Sequence, residues 1–279
     1  MKDNELIGIV GGVGPYAGID LVKKIFDQTR ANTDQDHLSV ALLSMPTQII
    51  DRTAFVLEKT NVNPAYSVVE IIKRLKNLGA SVVGIPCNTM HTPQIYDVLI
   101  QELRSENIDI KVVHMIYEVA KFIAKYYPDA RKIGVLSTNG TYQSGIYKSI
   151  FNKMGLDIIM PNWVIQKNVV HNAIYDPEYG IKAQSNPVSK VARNLLFNGI
   201  YHLQSKGADI IVLGCTEVSL AITENMLNGS AIIDSTFVLA RALIRELDAS
   251  KLKPYLKEDI GYRGEEGKIV NLEKCFLEQ

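Results

Sequence analysis

The sequence has little of what marks secreted, membrane or nucleic-acid-binding proteins. Only three cysteines occur in 279 residues, too few for a disulfide framework, so we expect free thiols in a reducing compartment, the cytoplasm. The apolar runs, such as 40–43 and 210–213, are far shorter than the roughly 18 residues that a membrane span needs. The polar start, Lys2 to Glu5, is not typical of a signal peptide. Because the formal net charge is zero, the chain lacks the basic footprint of a nucleic-acid-binding protein.

Strand and helix patterns alternate along the chain. Buried-strand patterns occur at 6–10, 39–44, 82–85, 133–136 and 210–213, and helical patterns at 19–26, 67–78, 115–127, 189–205 and 236–247. This alternation is typical of an α/β protein, in which a mostly parallel sheet is covered on both faces.

An internal repeat divides the chain into two halves. Segments 78–89 and 206–217 share one pattern: a helix end, Gly-Ala, a buried strand and then a cysteine. A second repeat, 7–10 against 133–136, has nearly the same offset. We therefore predict two pseudo-symmetric three-layer α/β/α domains, with mostly parallel sheets and an active site in the cleft between them. The first is predicted to comprise 1–116 plus 229–279, including a returning helix that Ser235 caps, and the second 117–228.

The repeated cysteines, Cys87 and Cys215, follow the carboxyl ends of predicted parallel strands, where open α/β folds bind ligands. The turns after them open predicted helices, and a helix N-terminus favours a thiolate. Two thiols facing each other across a cleft meet the requirement for inverting a stereocentre, because one removes a proton and the other delivers one to the opposite face. The alternative is that both are small buried apolar residues, as free cysteines often are.

Four motifs carry a resemblance to a known family: 11–15 (GGVGP), 51–53 (DRT), 86–91 (PCNTMH) and 214–217 (GCTE). Together they resemble the cofactor-independent aspartate/glutamate racemases, over nearly the whole chain. The resemblance implies a two-domain α/β fold with the site between the domains, usually as a homodimer. It also implies interconversion of the L and D forms of a dicarboxylic amino acid, without pyridoxal phosphate or a metal.

The resemblance also assigns roles to individual residues. It implies that Cys87 and Cys215 are the acid/base pair, that Arg52 and Lys167 bind the substrate carboxylates, and that Asn88, Thr89 and Thr216 hold the α-amino and α-carboxylate groups. Further candidates for the pocket are Val13, where the family has methionine, Thr138, which with Thr141 echoes the first glycine loop, and Glu217, which either caps its helix or touches the substrate amine.

The chemistry of these residue types agrees with the assignment. A guanidinium holds a carboxylate in a bidentate fork, and a lysine acts as a point charge on a second carboxylate. Removal of the α-proton builds charge on the adjacent carboxylate, so hydrogen-bond donors directed there stabilise the transition state. Aspartate and glutamate differ by one methylene, and no residue in the sequence decides between them.

Several alternatives stay open. Residues 12–17 fit a dinucleotide-binding loop, but Pro15 disturbs it, and Asp34 and Asp36 precede the second strand, whereas a ribose-binding acid follows it. Cys87 and His91 share a helical spacing, yet two ligands do not close a metal site, so His91 either polarises Cys87 or is structural. The rival functions are a hydantoin racemase, a maleate isomerase or an arylmalonate-type decarboxylase of the same fold, and a non-catalytic protein that binds an acidic metabolite. Cys275 has no partner motif and is interpreted as incidental.

Overall fold

Two separate sheets form the framework of the protein in a computed structural model that describes residues 5–255. The strands are β1 (Leu6–Gly11), β2 (Val40–Ser44), β3 (Ala80–Gly84), β4 (Lys111–Val112), β5 (Lys132–Leu136), β6 (Asp157–Ile159), β7 (Ile210–Leu213), β8 (Met226–Leu227) and β9 (Ser230–Asp234). The first sheet has the order β2-β1-β3-β4 with all pairs parallel. The second has the order β6-β5-β7-β9-β8, and only the β8–β9 pair is antiparallel.

Helices connect most of these strands. They are α1 (Pro15–Gln28), α2 (Arg52–Val56), α3 (Pro64–Asn77), α4 (Pro93–Ser105), α5 (Met115–Tyr126), α6 (Asn139–Ser144), α7 (Ile146–Asn152), α8 (Trp163–Ile165), α9 (Asn172–Tyr175), α10 (Lys190–Ser205), α11 (Thr216–Ala221) and α12 (Ser235–Asp248). A π-helical turn (Gln166–His171) joins α8 to α9, and a 3₁₀ turn (Asn88–His91) precedes α4. None of the helices between residues 5 and 255 combines the length and apolar character that crossing a bilayer requires.

The two sheets repeat one topology. In each, the first strand lies beside the second on one edge and the third on the other, so β1, β2 and β3 correspond to β5, β6 and β7. The third strand is in each case the strand that leads to a repeated cysteine, Cys87 or Cys215. The predicted fold class, two related α/β units with mostly parallel sheets, is confirmed.

Apolar side chains cover both faces of each sheet. Along β1, Ile7 and Ile9 pack into the cluster that contains Leu243 of α12, whereas Val10 packs with the residues of α3 and α4. Because successive strand residues point to opposite faces, a strand that is covered on both sides reads as a continuous apolar run. This is why the sequence pattern located the central strands.

The predicted boundary at residue 229 is wrong, because β9 belongs to the second sheet. Its residues pair with β7 from Ile210–Ala231 to Leu213–Asp234. The return to the first sheet therefore begins with α12, at Ser235. The predicted cap is also wrong: the side chain of Asp234 accepts the Thr236 N–H at 2.8 Å, while Ser235 donates its hydroxyl to the Leu213 carbonyl oxygen at 2.7 Å. Residues 256–279 of the predicted first domain, with Cys275, lie outside the described residues.

Helix α12 supports the first sheet through Leu243. A Cβ built on Gly84 of β3 would lie 2.5 Å from Leu243 Cδ1, so glycine at this position allows the helix to approach the strand. We expect Leu243→Ala to lower the free energy of unfolding by about 3 kcal/mol, because the side chain is fully buried. In the matched control Leu78→Ala, at a residue 56% exposed, we expect a change within about 0.5 kcal/mol. Urea unfolding of both variants tests this, and equal effects would contradict the packing.

Candidate active site

Cys87 and Cys215 occupy equivalent places just beyond β3 and β7. Each has an extended backbone, with φ of −160° and −149°, and each precedes a short helical turn. Both are buried free thiols, and both line one small cavity between the two sheets. The fold thus brings together the pair of thiols that the internal repeat singled out.

The cavity between the thiols, here the inner cavity, has a volume of about 10 Å³, which is the space of one water molecule. Besides the cysteines it is lined by Val13, Arg52, Thr53, Asn88, Thr89, Thr138, Tyr175, Lys182, Thr216 and Glu217. An outer cavity of about 210 Å³, beside the start of α1, shares Val13, Arg52, Lys182 and Glu217 with it. These four residues therefore lie at the boundary between the outer cavity and the inner cavity that holds the thiols.

Arg52 is a buried cation at the start of α2. The carboxylate of Asp51 caps this helix by accepting the Ala54 N–H at 2.8 Å, which fixes the position of Arg52 next to it. The guanidinium donates to the carbonyl oxygens of Val13 and Ile50. Within residues 5–255, its buried Nε has no hydrogen-bond partner. Burial opposes the charge, but the neighbouring Cys87 and Asp51 raise the pKa of Arg52 above its usual value, so the side chain stays charged.

Glu217, at the start of α11, links Cys215 to Lys182. Cys215 Sγ donates to Glu217 Oε2 at 3.1 Å, and Lys182 Nζ donates to Glu217 Oε1 at 2.8 Å. Burial works against ionisation of the carboxyl group, but Lys182, the hydrogen bond from Cys215 and the charge of Arg52 together lower the pKa of Glu217 to about 2. Burial and the charge of Glu217 together raise the pKa of the Cys215 thiol well above its usual range.

This result corrects the expectation that the helix N-terminus favours the thiolate of Cys215. Helix α11 has only six residues, and the positive end of such a helix acts against both desolvation and a carboxylate in hydrogen-bond contact. In this structure the Cys215 thiol donates a hydrogen bond to Glu217.

Asn88 and Thr216 make hydrogen bonds between the two halves of the protein. Tyr147 donates its hydroxyl to Asn88 Oδ1 at 2.7 Å, and Asn88 Nδ2 donates to Ser235 Oγ at 3.2 Å. Thr216 Oγ1 donates to the carbonyl oxygen of Pro86 at 3.2 Å. Both residues line the inner cavity, and the bond from Thr216 to Pro86 joins the chain segments that carry the two cysteines.

Threonine hydroxyls from both halves form a cluster at the inner cavity. Thr89 Oγ1 lies 2.9 Å from Thr141 Oγ1 and 3.2 Å from Thr138 Oγ1, and Thr53 donates to Thr138 at 3.2 Å. A Cβ built on Gly140 would lie 3.0 Å from Thr53 Cα, so α6 approaches α2 closely there. Thr89 and Thr138 thus both line the inner cavity, and their hydroxyl groups are engaged in this cluster.

His91 supports the backbone of Cys87 and does not contact its thiol. Its Nδ1 lies 2.9 Å from the carbonyl oxygen of Cys87, and its Nε2 lies 3.4 Å from that of Val113. Burial and the neighbouring His114 lower the pKa of His91 to about 3, so the ring is neutral. The structural interpretation of His91 therefore fits its contacts.

The predicted site residue Lys167 lies away from both cavities. It is exposed on the π-helical turn, where its neighbour Gln166 points inward and is buried. The lysine at the site is Lys182, which lines both cavities. Its loop turns tightly at Gly180, where a Cβ would lie 2.5 Å from the Asp176 backbone nitrogen. Sequence reasoning missed Lys182 because no motif marks this loop; the glycine two residues earlier was the available signal.

Tyr175 is a second residue that sequence reasoning missed. Its hydroxyl donates to Asp51 Oδ2 at 2.9 Å, and Lys182 Nζ lies 5.1 Å from the centre of its ring. The bond connects α9 in the second half with the start of α2 in the first. Tyr175 thereby closes one side of the inner cavity and holds Asp51 beside Arg52.

These features define a two-domain α/β enzyme with buried thiols and cations in the cleft between its halves. A sequence profile of the Asp/Glu/hydantoin racemase family matches residues 10–243. The chain belongs to this family, and the enzyme class expected from the sequence, an amino-acid racemase, is confirmed.

Three similar proteins illustrate the relationship. A broad-specificity amino-acid racemase of Bacillus subtilis is 27% identical over 245 residues, which cover 86% of this chain and 96% of that protein. A glutamate racemase of Listeria monocytogenes is 27% identical over 70% of this chain and 68% of its own length. The structure of Picrophilus torridus aspartate racemase superposes with a TM-score of 0.73 at 28% identity, covering 89% of this chain and 96% of that one.

Proposed function

We propose that this protein racemises an acidic amino acid, aspartate or glutamate, with Cys87 and Cys215 as the acid/base pair. The observation that carries the proposal is the shared inner cavity, which both thiols line together with two cationic side chains, Arg52 and Lys182. The thiolate of one cysteine removes the α-proton, and the electron pair of the broken bond moves into the α-carboxylate. The other thiol then delivers its proton to the opposite face of the α-carbon.

Arg52 is the proposed partner of a substrate carboxylate. Its buried Nε–H lacks an acceptor within the described residues, and such a donor is costly to leave unpaired. A substrate carboxylate satisfies this donor and gains a charge-assisted hydrogen bond. Where that carboxylate is the α-carboxylate, the same contact stabilises the charge that develops on deprotonation.

A second candidate function, racemisation of a wider range of amino acids, is favoured by one observation. Lys182 is already paired with Glu217 at 2.8 Å, so the lysine is only partly available to a side-chain carboxylate. The ionised Glu217 also lines the outer cavity, where it can accept a hydrogen bond from an ammonium or hydroxyl group. The similar protein from Bacillus subtilis is named as having broad specificity.

A substrate panel separates these functions. The protein is incubated with each enantiomer of aspartate, glutamate, alanine and lysine without added cofactor, and the enantiomer ratio is followed by chiral chromatography. The proposal expects aspartate or glutamate to approach a racemic mixture at least about tenfold faster than alanine or lysine, the discrimination that one charged contact supplies. Faster conversion of lysine or alanine would establish the wider range, and no conversion of any would reject both functions.

A pair of lysine variants tests the proposed role of Lys182 as the substrate-binding lysine. We expect Lys182→Ala to lower kcat/KM by about 10- to 100-fold, the effect of a lost charged hydrogen bond, because it removes the cation that holds Glu217 and contacts the substrate. Lys167→Ala is the matched control and is expected to leave kcat/KM unchanged. Steady-state kinetics of both variants decides the point, and a loss confined to Lys167→Ala would reverse the assignment.

The homodimer and the cytoplasmic location expected from the sequence stay predictions.

A further inference from the structure

The two active-site cysteines have matching backbones but unequal surroundings. The thiol of Cys215 donates to a carboxylate oxygen of Glu217 at 3.1 Å. Glu217 is fixed in this position, because Lys182 donates to its other oxygen at 2.8 Å. A carboxylate accepts a hydrogen bond from a thiol but repels a thiolate, so this contact favours the protonated form of Cys215.

The charged residue near Cys87 is a cation, Arg52, and not a carboxylate. Arg52 lines the inner cavity beside it, and its charge is stabilised electrostatically by Cys87. Of the two thiols, Cys215 is the one with a carboxylate as hydrogen-bond acceptor in the part of the chain that the structure describes. Cys87 therefore lies beside a cation, whereas Cys215 is hydrogen-bonded to a carboxylate.

The other ionisable groups that face Cys215 do not reverse this difference. Lys182 lowers the pKa of the Cys215 thiol, but burial and Glu217 have larger effects and raise it. Tyr147 of α7 contributes no charge, because burial raises its pKa well above the usual range.

We propose that Glu217 is a positioning residue that keeps the shared proton of the pair on Cys215 in the free enzyme, so that Cys87 acts first as the base. This inference rests on the two-thiol reaction proposed above. The free enzyme then reacts with the enantiomer whose α-hydrogen faces Cys87. That proton moves to Cys87 Sγ, and the proton of Cys215 Sγ moves to the opposite face of the α-carbon, so the number of protons on the pair is unchanged.

After product release the proton must return from Cys87 to Cys215 before the same enantiomer reacts again. Glu217 lines both the inner and the outer cavity, so its carboxylate lies between Cys215 and the larger, outer space. A carboxylate there restores the resting arrangement by favouring the thiol over the thiolate each time that Cys215 exchanges with solvent.

The test is a thiol titration in the absence of substrate. In a Cys87→Ser/Cys275→Ser protein, Cys215 is the sole cysteine, and its thiolate is followed by ultraviolet absorbance as the pH rises. In the reciprocal Cys215→Ser/Cys275→Ser protein, Cys87 is followed in the same way. We expect Cys215 to titrate at higher pH than Cys87, and Glu217→Gln to lower the midpoint of Cys215 by about one pH unit or more.

Two further variants make the result specific. Glu224→Gln removes a carboxylate that is paired with Arg193 outside the site, and it is expected to leave the midpoint of Cys215 unchanged. Lys182→Met removes the cation that lowers the pKa of Cys215, so it is expected to raise the midpoint of Cys215. This variant keeps the test decisive if Glu217→Gln fails to fold. A Cys215 midpoint at or below that of Cys87, or one that Glu217→Gln does not lower, would overturn the inference.

This titration is independent of activity. If the midpoints behave as expected but the substrate panel shows no racemisation, the proposed function fails while the proton placement stands. If racemisation occurs but the midpoints do not differ, the proton placement alone fails.

Discussion

Replacing either Cys87 or Cys215 with serine is expected to lower the rate of racemisation by about 10³-fold, within the range that a lost general acid or base produces. Both thiols line the inner cavity, and a hydroxyl is far less acidic than a thiol, so it supplies no anion at neutral pH. The measurement is the initial rate in each direction with aspartate and with glutamate. The matched control is Cys275→Ser, which changes the third cysteine of the sequence and is expected to keep full activity.

The single-cysteine variants also make a finer prediction. With one thiol lost, the remaining thiol still reaches one face of the α-carbon, so one enantiomer is expected to exchange its α-proton with solvent without being inverted. Cys87→Ser and Cys215→Ser are expected to favour opposite enantiomers in this exchange. Near-normal racemisation by either variant would reject the two-thiol mechanism.

Arg52→Ala is expected to lower kcat/KM by about 10² to 10³-fold, the usual effect of removing one donor that stabilises developing charge. The physical reason is the buried Nε–H, which has no acceptor in the described part of the chain and which the substrate carboxylate is proposed to pair. Arg52→Lys keeps the charge but loses the planar fork, so it is expected to recover only part of the activity. Arg30→Ala, at an exposed position, serves as the control.

Arg52 also contributes to the fold, so its variants need a structural check. Its guanidinium donates to the carbonyl oxygens of Val13, in the loop after β1, and of Ile50, just before α2. Circular dichroism and urea unfolding separate a folding defect from a loss of substrate binding. A folded Arg52→Ala protein with kcat/KM close to that of the wild type would contradict the proposed role.

The site residues that could be predicted best from the sequence are those that lie just beyond a buried strand. Cys87 and Cys215 could be found because each lies immediately beyond a continuous apolar run, and that run is an obligatory feature of a doubly covered parallel strand. Arg52 follows the second strand after residues 45–51, and its predicted role came from the resemblance of the motif at 51–53. The α/β class followed from the alternation of strand and helix patterns, and the division into two related units followed from the internal repeat.

The sequence could not predict those features of the site that depend on parts of the chain far apart in sequence. Lys182 reaches the site through the path of the π-helical turn, α9 and a tight loop, none of which has a local pattern that points to the cleft. The raised pKa of Cys215 depends on Glu217 and on burial, which only the folded structure supplies.

The sequence contains a signal that could have prevented the error in the domain boundary. Asn228 and Gly229 both have positive φ, 48° and 83°, and Asn-Gly is the preferred pair for a two-residue hairpin turn. This turn joins β8 to β9. An Asn-Gly pair beside the apolar residues 231–233 therefore predicts a strand at the place where the predicted boundary cut the chain.

The most direct test of the two-thiol account is deuterium incorporation by the wild-type protein in D₂O, at early times and from each pure enantiomer of the preferred substrate. The account predicts that the inverted product carries deuterium at the α-carbon while the recovered substrate keeps its hydrogen, because different thiols serve the two faces. Equal deuterium in substrate and product would show that one group serves both faces and would contradict the central role given to the Cys87–Cys215 pair.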